Sequence, residues 1–304
     1  MINERVRLIS SIRKMQLFKK YKDKTKCWWC GSRNLSREHK YKKTDLELLY
    51  GKDYTINKKI SKIAFRTERK GKFLQSSSST HAKFRRCLCI DCNGRKSQNA
   101  DKAYQKLIEY YYDNQIKLIK DGEISLRSIF SNEWEEGIRN VHRYIAKHIG
   151  CRIAELGFLP SKNLIDFLNG NPTCEDLKIV LQIKPYQFGE IENPIECIFL
   201  GPFIPVNCSP NKNKDVITSF LGWYTFVNFS WNYLHEPGIG KSNMTKEIIK
   251  LDIIDFKDSE VLEISLKEET FERDWALGLE KIEYYPFLGN NRDLDLYDYI
   301  KNYV

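Results

Sequence analysis

Cys27-Trp28-Trp29-Cys30 and Cys87-Leu88-Cys89-Ile90-Asp91-Cys92-Asn93-Gly94-Arg95-Lys96 are the two runs on which the reading of this 304-residue chain turns. Each holds a Cys-x2-Cys spacing, and one tight turn per pair lets both sulfurs face a single ion. Cys27, Cys30, Cys89 and Cys92 therefore offer the four thiolates of a tetrahedral structural zinc site. Fifty-eight residues separate Cys30 from Cys89, so the intervening segment is expected to loop out and return to the metal. Cys87 is an alternative third ligand, but its Cys-x-Cys spacing is less usual and it reads as a buried neighbour.

Five of the nine cysteines fall in these two groups, and the first residues, MINERVRLISSIRK, carry charges every few positions with no apolar run. That pattern predicts a cytoplasmic protein without a secretory signal, and in a reducing compartment clustered cysteines favour metal over disulfides. The formal charge of +10 conceals an asymmetry. Residues 1–120 hold 31 of the 50 Lys+Arg and 11 of the 40 Asp+Glu, a net +20 against −10 for the remainder. The basic stretch suits a polyanion, and the acidic stretch does not.

Around the cysteines the expected order is knuckle, strand, loop, strand, knuckle, helix. Strands are predicted at Leu35–Lys40 and Ala82–Leu88, and loop from Tyr41 to Thr80. A helix from Asn93 to about Lys120 should place Ala100, Tyr104, Leu107, Ile108 and Tyr111 on one face. Upstream, a basic amphipathic helix is predicted from residue 2 to about 22, with Ile2, Val6, Ile9, Ile12 and Met15 on one stripe, which packs on the domain or contacts phosphate. The change of charge sign and Asp121-Gly122 place a boundary near residue 125. The predicted fold class is α+β, with residues 1–125 as one domain and 126–304 as a mixed α/β accessory domain. The second domain should hold helices at Glu133–Leu156 and Lys162–Leu168. Strands are expected at Leu177–Ile183, Ile195–Leu200, Thr225–Leu234, Ile248–Phe256 and Val261–Ile264.

Between the knuckles lies Arg37-Glu38-His39-Lys40, and Asn93 follows the second knuckle directly, with Lys96 three residues on. This pattern, CxxC, an acidic residue plus His, then CxxCN and a Lys, resembles the HNH endonucleases, the four-cysteine zinc-ribbon branch of the ββα-metal or His-Me finger nucleases. The resemblance covers about Cys27 to Tyr104. It implies a metal-dependent endonuclease that hydrolyses DNA phosphodiester bonds, most readily in double-stranded DNA, leaving 5′-phosphate and 3′-hydroxyl ends. In that reading Glu38 and Asn93 hold a catalytic Mg²⁺ or Mn²⁺ and His39 activates water as general base. In-line attack on phosphorus needs such a base and a cation to offset the charge that develops on oxygen, and hard oxygen ligands suit those ions. Arg85, Arg86, Arg95 and Lys96 flank the site as phosphate-binding cations. Family members often carry Asp or His in place of Glu38. The middle position of the motif, often Asn, has His81 as its candidate here, and His81 reads equally as a surface residue on a strand edge.

The second stretch offers less chemistry. Val216–Leu234 has no charged residue over 19 positions, yet its alternation from Val227 to Tyr233 is that of a strand with a buried aromatic face, so no membrane span is expected. The run HEPGIGKS at His235–Ser242 has His235 where a phosphate loop needs Gly, and reads as a turn. His142 and His148, six residues apart on one helix, read as packed or exposed rather than ligating. Cys151, Cys174, Cys197 and Cys208 read as small core residues. An acidic domain appended to such a nuclease suggests dimerisation, target selection or control by an activating ligand or partner protein, as in bacterial and phage restriction or antiviral-defence effectors. Two alternatives remain: a non-catalytic zinc-ribbon regulator that binds nucleic acid, and an interaction protein dominated by the acidic domain.

Overall fold

The computed structural model describes residues 18–51, 64–67, 70–73, 79–121, 123–183, 198–207, 217–226, 229–235, 261–263 and 265–266. The chain is a mixed α+β protein. In order, its elements are β1 (Leu35–Ser36), α1 (Lys43–Tyr50), β2 (Ala64–Thr67), β3 (Lys70–Phe73), β4 (Leu88–Cys89), α2 (Ile90–Asn93) and α3 (Gln98–Asp121). There follow β5 (Glu123–Ser125), α4 (Leu126–Phe130), α5 (Trp134–Glu155), α6 (Lys162–Leu168), β6 (Leu177–Ile183), β7 (Ile198–Asn207), β8 (Ile217–Phe226), β9 (Phe229–His235), β10 (Val261–Glu263) and β11 (Ser265–Leu266).

The first expected strand pair forms, broken in its middle. β1 pairs antiparallel with β4 as Ser36 opposite Leu88, and pairing resumes at His39 opposite Lys83. One strand thus advances three residues while the other advances five, and such a mismatch bends a ladder as a bulge does. The second segment is closed by Lys40 N–H donating to Ala82 O (2.7 Å) and Phe84 N–H to Glu38 O (2.8 Å). Between these strands the expected loop contains α1 and the β2–β3 hairpin. Eight residues are too few for an independently stable helix, and α1 holds by burying Asp45, Leu46 and Leu49.

The predicted face of α3 is buried as expected, with Ala100, Tyr104, Leu107, Ile108 and Tyr111 all inside. The helix itself starts later than predicted. Asn93 closes the short α2, and Gly94–Ser97 separate it from α3. Both expected helices of the second stretch are present as α5 and α6. The uncharged run around residues 216–234 becomes the antiparallel pair β8 and β9 inside a sheet of order β11-β6-β9-β8-β7, so the single strand expected at Thr225–Leu234 is instead divided between the end of β8 at Phe226 and β9 from Phe229. Phe229, Trp231 and Tyr233 are buried on β9, and no described helix is long and apolar enough to cross a membrane. The edge position of β7 accommodates Pro205, which has no N–H to give a ladder.

One buried cluster runs from Tyr21 to Tyr233, across the point where the charge changes sign. α3 lies against α5, Trp29 Nε1–H donates to Asn169 Oδ1 (2.9 Å), and Tyr224 on β8 donates to Asp45 on α1 (2.9 Å). The end of the predicted basic helix, residues 18–22, is not helical: Lys20 bridges antiparallel to Phe158 and Tyr21 N–H donates to Gly157 O, so this segment is held by pairing with the chain after α5. The rest of that segment up to residue 17, the Ile248–Phe256 strand, the turn from Glu236 to Ser242, Cys197 and Cys208 lie outside the described residues.

The tightest join between the first knuckle and α5 is Gly150. A Cβ there would stand 2.4 Å from the Trp28 ring, so the helix seats on the indole only because no side chain intervenes. Gly150→Ala is expected to destabilise the protein by about 1–3 kcal/mol through overpacking, read as a lowered midpoint in urea. An unchanged midpoint would refute this contact.

Candidate metal centre

Each cysteine pair is shaped by a local turn. On the first knuckle Cys27 N–H donates to Ser32 O and Gly31 N–H to Cys27 O, with Gly31 at φ +82°, a conformation that glycine adopts at little cost. On the second, Cys89 caps α2, its sulfur accepting from Cys92 N–H at 3.3 Å. Trp28 N–H donates to Cys87 O, pinning one knuckle beside the other. The four sulfurs of Cys27, Cys30, Cys89 and Cys92 lie within 4.8 Å of one another, and Cys30 and Cys89 approach to 3.4 Å. Zinc–sulfur bonds of 2.3 Å in a tetrahedron place sulfurs about 3.8 Å apart, so these thiols fit a metal such as zinc. A hydrogen bond from Cys92 lowers the pKa of the Cys27 thiol to about 5. That same bond pushes the Cys92 thiol up. Cys87 is buried nearby and stands outside the group of four.

Asn93 sits one residue past the second knuckle with its amide fixed. Nδ2–H donates to Ser36 Oγ (3.1 Å) and to Arg37 O (3.3 Å). A carbonyl only accepts, so the amide cannot be turned over. Ser36 is itself oriented, donating to Leu88 O. Among the described residues the buried Asn93 Oδ1 has no hydrogen-bond partner; it stands beside the strand segment that leads to Glu38 and His39.

Glu38 and His39 point differently, as a strand dictates: Glu38 is buried and His39 half-buried. The Glu38 carboxylate meets the Lys147 ammonium of α5 at 3.4 Å. Lys147 also donates to both carboxylate oxygens of Asp101, at 2.9 and 3.0 Å, and to Ser97 Oγ. Asp101 in turn pairs with Lys42 at 3.4 Å, whose ammonium stands 4.8 Å from the Tyr144 ring centroid. Burial pushes the Glu38 carboxyl up, with Lys147 opposing. For Lys147, burial works against the charge, but Glu38 and Asp101 outweigh it and its pKa is raised. Beside this chain of charges, Asp45 accepts from Tyr104 and Tyr224, and burial pushes its carboxyl up to about 7.

The remaining expected residues are placed as follows. Arg85, Arg86, Arg95 and Lys96 are exposed, and Arg95 is partly neutralised by Asp91 at 2.6 Å. His81 lies in the 3-10 turn Thr80–Ala82. His148 is packed, with Nε2–H donating to Lys40 O and the ring edge-on to Phe84. Burial lowers its pKa to about 3, which keeps it neutral. Cys151 is buried, as expected of a core residue, while Cys174 is only partly so. Sequence reasoning missed Lys42, Asp101 and Lys147. The available signal was Lys147 on the buried side of α5, in a run that also holds His148 and Arg152.

Compared with protein-family models, curated proteins and solved structures, the chain matches none.

Purified protein should contain about one zinc per chain, and the double variant Cys27→Ala, Cys30→Ala should lose it and unfold, because binding and folding are coupled at such sites. A folded protein free of metal would refute the assignment.

Proposed function

We propose that the chain is a metal-dependent HNH-type endonuclease acting on DNA, with zinc at the four cysteines and Mg²⁺ or Mn²⁺ held by Glu38 and Asn93. The observation that carries this reading is the Asn93 amide: its nitrogen is committed to Ser36 and Arg37, and its buried oxygen has no partner among the described residues. A buried acceptor left unsatisfied is costly unless something else supplies the missing contact, and a divalent cation would do so. When bound, that cation supplies charge to the phosphoryl and leaving oxygens.

The protein's own groups supply the rest. His39 stands at the resumed strand pair, half-buried and open to solvent, where a neutral imidazole takes a proton from the attacking water. The water oxygen bonds to phosphorus as the bond to the 3′ oxygen breaks, and the departing 3′ oxygen takes a proton from solvent, leaving 5′-phosphate and 3′-hydroxyl. Exposed Arg85, Arg86, Arg95 and Lys96 draw the backbone in, and the basic charge of residues 1–120 supports double-stranded DNA as substrate. A double-strand break would call for a homodimer or two visits. Control by a ligand or partner protein falls to the acidic stretch.

Supercoiled plasmid incubated with the protein and Mn²⁺ or Mg²⁺ should be nicked or linearised, with EDTA abolishing the reaction and His39→Ala lowering it at least 100-fold. Salt-sensitive DNA binding without cleavage, equal in His39→Ala, would favour the non-catalytic zinc-ribbon regulator instead.

A further inference from the structure

Lys147 has an unusual position for a lysine. Its side chain is 1% exposed, and its ammonium stands among four oxygens: Asp101 Oδ1 and Oδ2 at 2.9 and 3.0 Å, Ser97 Oγ at 3.3 Å and Glu38 Oε2 at 3.4 Å. That is the donor set of a hard cation, filled by a charge tethered to the protein. The tether is α5, which belongs to the acidic stretch, while the oxygens come from the segments that follow each cysteine knuckle. We propose that Lys147 competes with the divalent cation for Glu38, so that α5 sets how readily the metal loads. The proposal rests on Glu38 as a metal ligand.

Two physical arguments give its direction. A positive charge 3.4 Å from a ligand oxygen repels an incoming dication, and more strongly in the buried interior than in water. The ammonium also takes up carboxylate valence that a metal would use. α5 is in turn held by the second stretch. Arg152, five residues beyond Lys147, donates to the Tyr233 hydroxyl on β9 at 2.6 Å, and Arg143 donates to Phe167 O on α6 at 3.2 Å. A ligand or partner that shifts those contacts moves the helix carrying Lys147, and displacing the ammonium from Glu38 raises metal affinity. This gives the acidic stretch a role in the chemistry of the basic one without any contact to DNA.

The test is Mn²⁺ binding to the zinc-loaded full chain, followed by the electron paramagnetic resonance of free Mn²⁺. Lys147→Met, which keeps the aliphatic volume, should bind at least tenfold tighter than wild type, and Glu38→Gln, Lys147→Met should lose that gain. Lys147→Gln serves as a second neutral variant if Met prevents folding, judged by circular dichroism. Lys42→Met, which removes a cation paired with Asp101 rather than Glu38, should give a smaller gain. The proposal is overturned if a folded neutral variant binds Mn²⁺ no tighter than wild type. It is also overturned if the gain survives Glu38→Gln, or if Lys42→Met matches it. Glu38→Gln alone separates the two readings: unchanged Mn²⁺ affinity there removes Glu38 as a ligand and the function reading with it. A lost affinity combined with no gain in Lys147→Met defeats only the competition.

Discussion

Four thiols brought together from two turns 59 residues apart are the constraint on which the first stretch is organised. Ionised sulfurs at such separations repel one another, and burial makes the repulsion worse. A metal reverses the sign of the interaction and staples both knuckles. The strand pair between them then has little freedom. β1 follows the first knuckle within a few residues and β4 ends on the second, so fixing the sulfurs fixes the register that places Ser36 against Leu88. Asn93 leaves the second knuckle directly and reaches back to Ser36 and Arg37. The candidate catalytic residues are thus located by the two cysteine turns, three of whose sulfurs come from residues of the buried core.

A second constraint ties that assembly to the rest of the chain. Glu38, Lys147, Asp101 and Lys42 alternate in sign through the interior. Removing one member would strand its neighbours, a larger penalty than the net gain from the intact pairs. Such a chain specifies geometry more than it adds stability, since each ammonium accepts few arrangements of oxygens. The helices involved, α1, α3 and α5, are also the ones that carry the shared apolar core. The stacked rings of Tyr104 and Tyr144, 3.9 Å between centroids, sit against the same lysines. Charge and packing therefore select the same placement of α5, with Gly150 allowing it to reach Trp28.

How much of this was legible in the sequence varied with the range of the interaction responsible. Cysteine spacing is local, and it named the four sulfurs that meet. Helical periodicity named the buried face of α3 and the extent of α5 and α6, and two-residue alternation named the strand character of β9 with its buried Phe229, Trp231 and Tyr233. Short elements held by tertiary contacts were opaque. α1 is only eight residues long, with Leu46, Leu48 and Leu49 too closely spaced to show a helical period, and its Asp45 is buried by partners as distant as Tyr224. The start of α3 was misplaced because Asn93 is helical in its own right, in a separate turn ended at Gly94. Least legible was Lys147, whose partners lie 46 and more residues away, beyond the reach of any local pattern. The orientation of the Asn93 amide, which distinguishes a ligand from a helix cap, likewise depended on a strand 56 and 57 residues upstream.

The central claim is that Asn93 and Glu38 together hold a divalent cation beside His39. Its most direct test is a crystal structure of the zinc-loaded protein soaked in Mn²⁺, with anomalous diffraction used to locate manganese apart from zinc. The account predicts a manganese peak bound by Asn93 Oδ1 and the Glu38 carboxylate, separate from the zinc peak at the four cysteines. Manganese absent from that position, with Asn93 Oδ1 met by water or by protein, would contradict it.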